Sequence, residues 1–276
     1  MRFLLAAVLA VTAALPVVAQ DQDQTELTKL QTANDARGWE AVGRLNIGRA
    51  GMCTGALIAP DVVLTAGHCL YDTRTGQQVD PTTVEFLAGW RNGRASATRK
   101  VRSAVVHPDY VYSGPTGSDT VAVDLAILKL ASPINRPQIQ PFATGKRPRK
   151  GASVGVVSYA RDRADSPSIQ KVCHVLARRQ GMLILSCDAD FGSSGAPIFA
   201  EVDGEPQIVS VVSSIATIRD RPVSFGTNLE KPLAEMLALL NTNGGTIAPP
   251  PTAVVRTKPN TPRVLSSGGG AKFLKP

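Results

Sequence analysis

The chain has 276 residues, 43% of them hydrophobic and 19% charged, a globular usage that excludes a mainly disordered or collagenous protein and suits one large domain or two small ones. The formal charge of +8 is unevenly placed: residues 242–276 carry five basic and no acidic side chains, whereas between Gln20 and Asn241 24 basic residues face 22 acidic ones, a balance of +2. A nucleic-acid-binding domain carries its charge on the fold, so no nucleic-acid partner is expected.

Met1-Arg2 is a short basic start, Phe3 to Leu15 is an apolar run broken only by Thr12, and Pro16 leads into Val17-Val18-Ala19. This is the layout of a secretory signal peptide over residues 1–19, cut after Ala19. The run is shorter than the roughly 20 apolar residues that span a bilayer, and no later stretch is long enough. The mature chain is therefore expected to be secreted or periplasmic, without an integral membrane segment. Residues 20–38, rich in Gln, Asp and Thr, read as a propeptide or flexible arm.

From about Trp39 short apolar segments alternate with turn residues, as 24 glycines and 20 prolines imply. With aromatics at only 5%, the core rests on Val, Ile, Leu and Ala. The pattern predicts strands at Ala41–Ile47, Thr54–Ala59, Val62–Leu64, Val84–Leu87, Arg99–Val106 and Leu125–Leu130. Residues 135–151 hold three prolines and the Lys146-Arg147-Pro148-Arg149-Lys150 run, and read as a solvated connection rather than a polyanion site. A second series follows at Ala152–Tyr159, Ile169–Leu176, Met182–Ser186, Ala196–Ala200, Pro206–Ser213 and Val223–Thr227. The β-branched content and spacing predict an all-β protein in two strand-rich halves. Leu233, Met236, Leu237 and Leu240 recur at helical spacing, predicting one helix over 229–240. Residues 242–276, rich in Pro, Gly, Ser and Thr, read as a flexible basic tail.

Four cysteines in an exported chain read as two disulfides with three possible pairings. The short separations favour local pairing, Cys53 with Cys69 and Cys173 with Cys187. There is no Cys-x-x-Cys or His-Glu-x-x-His, and the three histidines are scattered. No metal or other cofactor is expected.

Three segments carry chemistry. Leu64-Thr65-Ala66-Gly67-His68-Cys69 ends a strand in a small turn with a histidine; Asp124 opens the apolar Leu125–Leu130 strand; Gly192-Ser193-Ser194-Gly195-Ala196-Pro197 sets a serine between glycines. A serine hydroxyl is a poor nucleophile near neutral pH and needs an imidazole to take its proton. The imidazole needs a carboxylate to fix its tautomer. Glycines beside the serine let backbone N–H groups turn toward a developing oxyanion. Each segment alone is common; their joint occurrence in the order His, Asp, Ser is not.

At these residues the sequence resembles the trypsin/chymotrypsin-like serine endopeptidases, whose motifs read Thr-Ala-Ala-His-Cys, Asp-Ile-Ala-Leu-Leu and Gly-Asp-Ser-Gly-Gly-Pro. The resemblance covers about residues 39–241, and Cys187 to Ser194 looks closer to bacterial exported members, including the glutamyl-endopeptidase-like branch. It implies two six-stranded antiparallel β-barrels, about 39–140 and 141–229, a C-terminal helix, and an active site in the cleft between the barrels. It also implies His68 as general base, Asp124 as its orienting partner, Ser194 as nucleophile, and the Gly192 and Ser194 N–H groups as oxyanion hole. By the same resemblance the Cys53–Cys69 bridge fastens the histidine turn, and Val211–Ser214, with Ser213, resembles the strand along which substrate pairs. His107 and His174 have no place in the triad and read as structural. The implied protein is a monomeric serine endopeptidase acting on polypeptides.

Departures from the family pattern bear on activation and specificity. Ser193 stands where animal members carry an aspartate that pairs with a newly cut N-terminus, so activity is expected not to need a free N-terminus at Val42. Asp188, six residues before Ser194, stands where trypsin-like members bind Lys or Arg side chains; the alternative is a loop-stabilising role. Glutamate preference is disfavoured, because Val212 and Ser213 occupy the strand where that branch places a histidine. Two other readings are a catalytically silent, protease-like binding module and a chaperone-protease. The second lacks its peptide-binding domain, which 35 residues after Asn241 do not supply.

Overall fold

A computed structural model of the chain describes residues 24–48, 51–114, 120–242 and 272–273. The expected signal peptide, and all of the tail from residue 243 except residues 272–273, lie outside the described residues.

The first barrel is built from β2 (Val42–Ile47), β3 (Gly51–Ala59), β4 (Val62–Thr65), β5 (Val84–Ala88), β6 (Ala97–Val106) and β7 (Ala126–Leu130). The strands close in the order β2-β3-β4-β7-β6-β5, antiparallel throughout. Alternation places the core: in β2, Leu45 and Ile47 are buried while Arg44 and Asn46, which alternate with them, are half-exposed. Leu57, Val63, Phe86 and Leu128 fill the interior with no exposed surface.

The second barrel comprises β8 (Ser153–Ser158), β9 (Ser168–Arg179), β10 (Met182–Leu185), β11 (Pro197–Val202), β12 (Glu205–Ile218) and β13 (Arg221–Asn228). Its order is β9-β10-β13-β12-β11-β8, and pairing of β8 with β9 closes it. Val156, Leu183, Leu185 and Ile198 occupy its core. The predicted two-barrel, all-β fold is therefore the observed one, and all twelve predicted strands are present. α1 (Glu230–Thr242) lies against β6 and β7, burying Leu233, Met236 and Leu240.

Two additions were not expected. Residues 24–30, within the segment that reads as a propeptide or flexible arm, are docked on the second barrel. β1 (Thr28–Lys29) pairs antiparallel with β9, Thr25 N–H donates to Val172 O at 2.9 Å, and Leu30 and Ala36 are buried. The segment carries too few apolar residues for a strand pattern, and its pairing is made by backbone groups that any sequence supplies. β14 (Lys272–Phe273) pairs antiparallel with β12 at Ala216 and Thr217. Both disulfides have the expected local pairing, with Cα–Cα distances of 6.2 Å for Cys53–Cys69 and 5.0 Å for Cys173–Cys187.

The barrels meet through the segment around Trp39, Phe142 and Phe199, whose rings pack at centroid distances of 4.7–5.9 Å. Across the same interface Tyr159 Oη donates to Trp90 O at 2.8 Å. The run Lys146–Lys150 is not wholly solvated, since Arg147 donates to the carbonyls of Arg179 and Met182 at the β9–β10 turn.

Candidate active site

His68 sits in a short 3-10 turn, Gly67–Leu70, that follows β4. Its neighbour Cys69 is bonded to Cys53 on β3, so the turn is covalently fastened to the barrel wall. Asp124 ends a second 3-10 turn, Val121–Val123, just before β7. The turn is tied to the second barrel by Thr227 Oγ1, which donates to Val121 O at 2.7 Å and Asp124 O at 3.1 Å.

These elements bring His68 and Asp124 together at two points. The His68 backbone N–H donates to Asp124 Oδ1 at 2.8 Å, and His68 Nδ1 lies 2.7 Å from Asp124 Oδ2. Ser213 Oγ donates to the same Oδ2. A carboxylate only accepts, so Nδ1 carries the proton and Nε2 is left as a base. Asp124 is 4% exposed at its side chain and His68 25%. Burial opposes the imidazolium and is the strongest single influence on His68, but the charge of Asp124 and its hydrogen bond together outweigh it, leaving the pKa above the ordinary 6.5.

Ser194 stands in a turn assembled from both barrels. Ser193 N–H donates to Asp190 O at 2.8 Å and Gly195 N–H to Val212 O at 2.7 Å. From the first barrel, Thr54 N–H donates to Ser194 O and Thr54 Oγ1 to Gly192 O, both at 2.9 Å. Only glycine fits at Gly195: its φ is +75°, and a Cβ there would fall 2.1 Å from Thr65 Oγ1 and 2.5 Å from Thr54 O. Gly192, at φ +103°, is hemmed in by Met52 and Ala160. The amides of Gly192 and Ser194 have no acceptor among the described residues.

His68, Asp124, Gly192, Ser194 and Ser213 all line one cleft between the barrels. Ser194 Oγ makes no hydrogen bond among the described residues, so the Ser194–His68 pair is open in this structure. Asp188 does not line the cleft. Its N–H donates to Gln170 Oε1 at 2.8 Å and its Oδ2 faces Gln170 Nε2 at 3.4 Å, an arrangement that braces the loop and supports the second of the two readings of this residue. The charged residues that do line the cleft beyond His68 and Asp124 are Arg161 and Asp190, with the Arg161 guanidinium 5.2 Å from the centre of the Phe191 ring. Sequence reasoning did not single these out, because Ala160–Arg163 reads as an ordinary polar turn.

His107 and His174 lie outside the cleft. His107 is buried beneath α1, with Nε2 3.6 Å from Glu235 Oε2. Among the described residues one trio has metal-ligand spacing, Cys53, His68 and Cys69. Its two sulfurs are bonded to each other, so neither is a thiolate that could bind a metal.

A family model described as Trypsin matches residues 31–228. The chain is 29% identical over 154 residues to a glutamyl endopeptidase of Bacillus licheniformis, covering 55% of this chain and 46% of that one. It is 35% identical over 94 residues to a trypsin-like protease of Streptomyces glaucescens, covering 34% and 31% of the two chains. With serine protease 23 of Mus musculus it shares 28% identity over 172 residues, 56% and 44% of each. The chain thus spans less than half the length of these curated relatives. A solved Glu endopeptidase in complex with MPD superposes with a TM-score of 0.62 at 20% identity, over 77% of this chain and 95% of that one. At that identity the likeness speaks for the fold.

Proposed function

The chain belongs to the trypsin family, and on that premise we propose that it is an exported serine endopeptidase that cleaves extended polypeptides through Ser194, His68 and Asp124. Ser194 Oγ attacks the scissile carbonyl while His68 Nε2 takes its proton. The tetrahedral oxyanion falls to the free amides of Gly192 and Ser194. His68 then protonates the departing amine, leaving an acyl-enzyme on Ser194 that water opens with His68 again as base. Asp124 holds the imidazole in place throughout; this mechanism is the family's own, carried to these residues. Export into an oxidising compartment is supported by the two disulfides.

The observation that carries the reading is the coupling of His68 Nδ1 to the buried Asp124 carboxylate, in the same cleft as a serine flanked by two unengaged amides. The β12 segment from Ser213 to Ile215 lines that cleft, which suits a substrate added as an extra strand. The open Ser194–His68 pair is what a catalytically silent, protease-like binding module would also present, although such hydrogen bonds are often long before substrate arrives. Labelling with a fluorophosphonate decides between them. The enzyme reading expects a stoichiometric adduct on Ser194 that is lost in Ser194→Ala; an intact, folded protein that takes no label overturns it.

Activation at Val42 is not part of the proposal. Val42 is fully buried in β2 and its N–H donates to Trp39 O at 2.9 Å, so a new terminus there would have to be pulled out of the first barrel. Protein retaining residues 20–41 is expected to hydrolyse peptides without trimming, as followed by active-site titration before and after incubation with a processing protease.

A further inference from the structure

Resting on the reading above, the next question is what holds the oxyanion turn in its working shape. The side chain of Ser193 is fully buried and faces a second buried group, Arg163, which is 8% exposed. Arg163 Nη1 donates to Ser158 O at 2.8 Å and Ser158 Oγ at 3.1 Å, at the end of β8, and Nη2 donates to Ser193 Oγ at 3.3 Å. Ser193 Oγ in turn lies 3.2 Å from Tyr159 O, 3.3 Å from Ser158 Oγ, and accepts the Asp190 N–H at 3.3 Å. A single guanidinium thus ties the strand behind the turn to the residue between the two oxyanion amides.

Such a cation is expensive to bury, and here its direct acceptors are neutral. The carboxylate in ion-pair range is that of Asp162, 3.8 Å from Nε and 69% exposed. The other charges acting on it are Asp190 from the turn itself and Asp188 two residues before it, and Tyr159 stays neutral because burial pushes its phenol up. Fork geometry explains why arginine is used: one planar group reaches β8 with one nitrogen and Ser193 with the other, which a lysine ammonium cannot do in the same way.

We propose that Arg163 is a positioning residue that holds the Asp190–Ser194 turn, through Ser193, with the amides of Gly192 and Ser194 aimed into the cleft. It does so with a charge built into the fold, so the turn needs no chain terminus to set it.

The position gives a pH signature. Burial lowers the guanidinium from its usual value, while the charges of Asp162, Asp190 and Asp188 oppose the fall; a guanidinium keeps its proton in proteins. The intact protein is therefore expected to show no alkaline loss of kcat below about pH 10. In Arg163→Lys an ammonium with an ordinary value near 10.4 is placed in the same burial, and its pKa falls. An alkaline limb then enters the kcat profile below about pH 10.

The experiment measures kcat and KM per titrated Ser194 in the intact protein, Arg163→Lys, Arg163→Met, Ser193→Ala and the Arg163→Met/Ser193→Ala double variant. The expected result is a fall in kcat of roughly 10- to 100-fold in each single non-conservative variant, below the 10²–10³ that loss of a whole oxyanion donor produces, with KM changed by less than about threefold. The double variant is expected to lose no more than the worse single, because both act on one link. If Arg163→Met does not fold, Arg163→Lys and Ser193→Ala carry the test. Unchanged kcat in Ser193→Ala, or no alkaline limb in Arg163→Lys, overturns the assignment while fluorophosphonate labelling of Ser194 keeps the protease reading intact. An intact protein that neither labels nor hydrolyses removes both.

Discussion

The electrostatics of His68 set a conflict between the stability of this protein and its proposed chemistry. Because the folded-state pKa is raised, the imidazolium–Asp124 pair stabilises the fold fully below the unfolded value near 6.5 and loses that contribution as pH rises through the folded value. The base exists only on the far side of that transition. The acid limb of kcat/KM is therefore expected to have its midpoint above about 6.5, measured on a small ester or amide substrate. Asp124→Asn removes the charge that, with the hydrogen bond, outweighs burial; burial then dominates, so the limb should move below 6.5. Activity should fall by roughly 10⁴-fold, the loss known for the family's triad rather than one deduced from this chain. A limb that does not move in Asp124→Asn would show that another group controls it.

Elements rather than single residues decide whether those groups meet. Thr54 on β3 is fully buried and works in both directions: its Oγ1 donates to Gly192 O and accepts the Tyr159 N–H at 3.0 Å, while its N–H reaches Ser194 O. Thr54→Val keeps the shape and deletes the hydroxyl, leaving a buried carbonyl and a buried amide unpaired at about 1–3 kcal/mol each. The expected outcome is a loss of roughly 2–4 kcal/mol in urea unfolding together with a lower kcat, since the orphaned carbonyl belongs to Gly192, whose amide is proposed to bind the oxyanion. Loss of stability with kcat untouched would confine Thr54 to a packing role.

The same element shows where legibility ends. The twelve barrel strands could be read from the sequence because each is a short β-branched or Leu-rich run closed by turn residues. His68, Asp124 and Ser194 could be read because each sits in a characteristic local string. Thr54, Arg163 and Gln170 could not: the contacts that tie them to the Ser194 loop span 138 residues from Thr54 to Gly192, 30 from Arg163 to Ser193 and 18 from Gln170 to Asp188, and nothing local marks them. The sequence predicts β12 over Pro206–Ser213, but the strand runs to Ile218, because Ser214–Thr217 lacks the continuous apolar character of the buried half. The pairing shift between Val212 and Ser214 marks that change, where the strand leaves the barrel wall and becomes the lip of the cleft.

At the scale of the whole molecule, the segment before the first barrel belongs to the second. Gln170 Nε2 donates to Thr25 O at 2.8 Å, while its Oε1 takes the Asp188 N–H; Gln24 Nε2 donates to Ser186 O at 2.9 Å. Residues 24–30 are thereby linked to the loop that leads to Ser194, and the chain wraps from one barrel's edge to the other's first strand. Leu30, 5% exposed, packs into the main core. Truncating it leaves a cavity, and Leu30→Ala is expected to cost about 2–4 kcal/mol. Deleting residues 20–30 removes that burial, leaves Gln170 Nε2 without its carbonyl, and bares the edge of β9. Urea unfolding and gel filtration of the shortened chain should show both effects, a lower midpoint and a tendency to self-associate. A shortened chain as stable and monodisperse as the full one would support the propeptide reading of these residues. The docked arm would then be a removable cover, not a structural part of the second barrel.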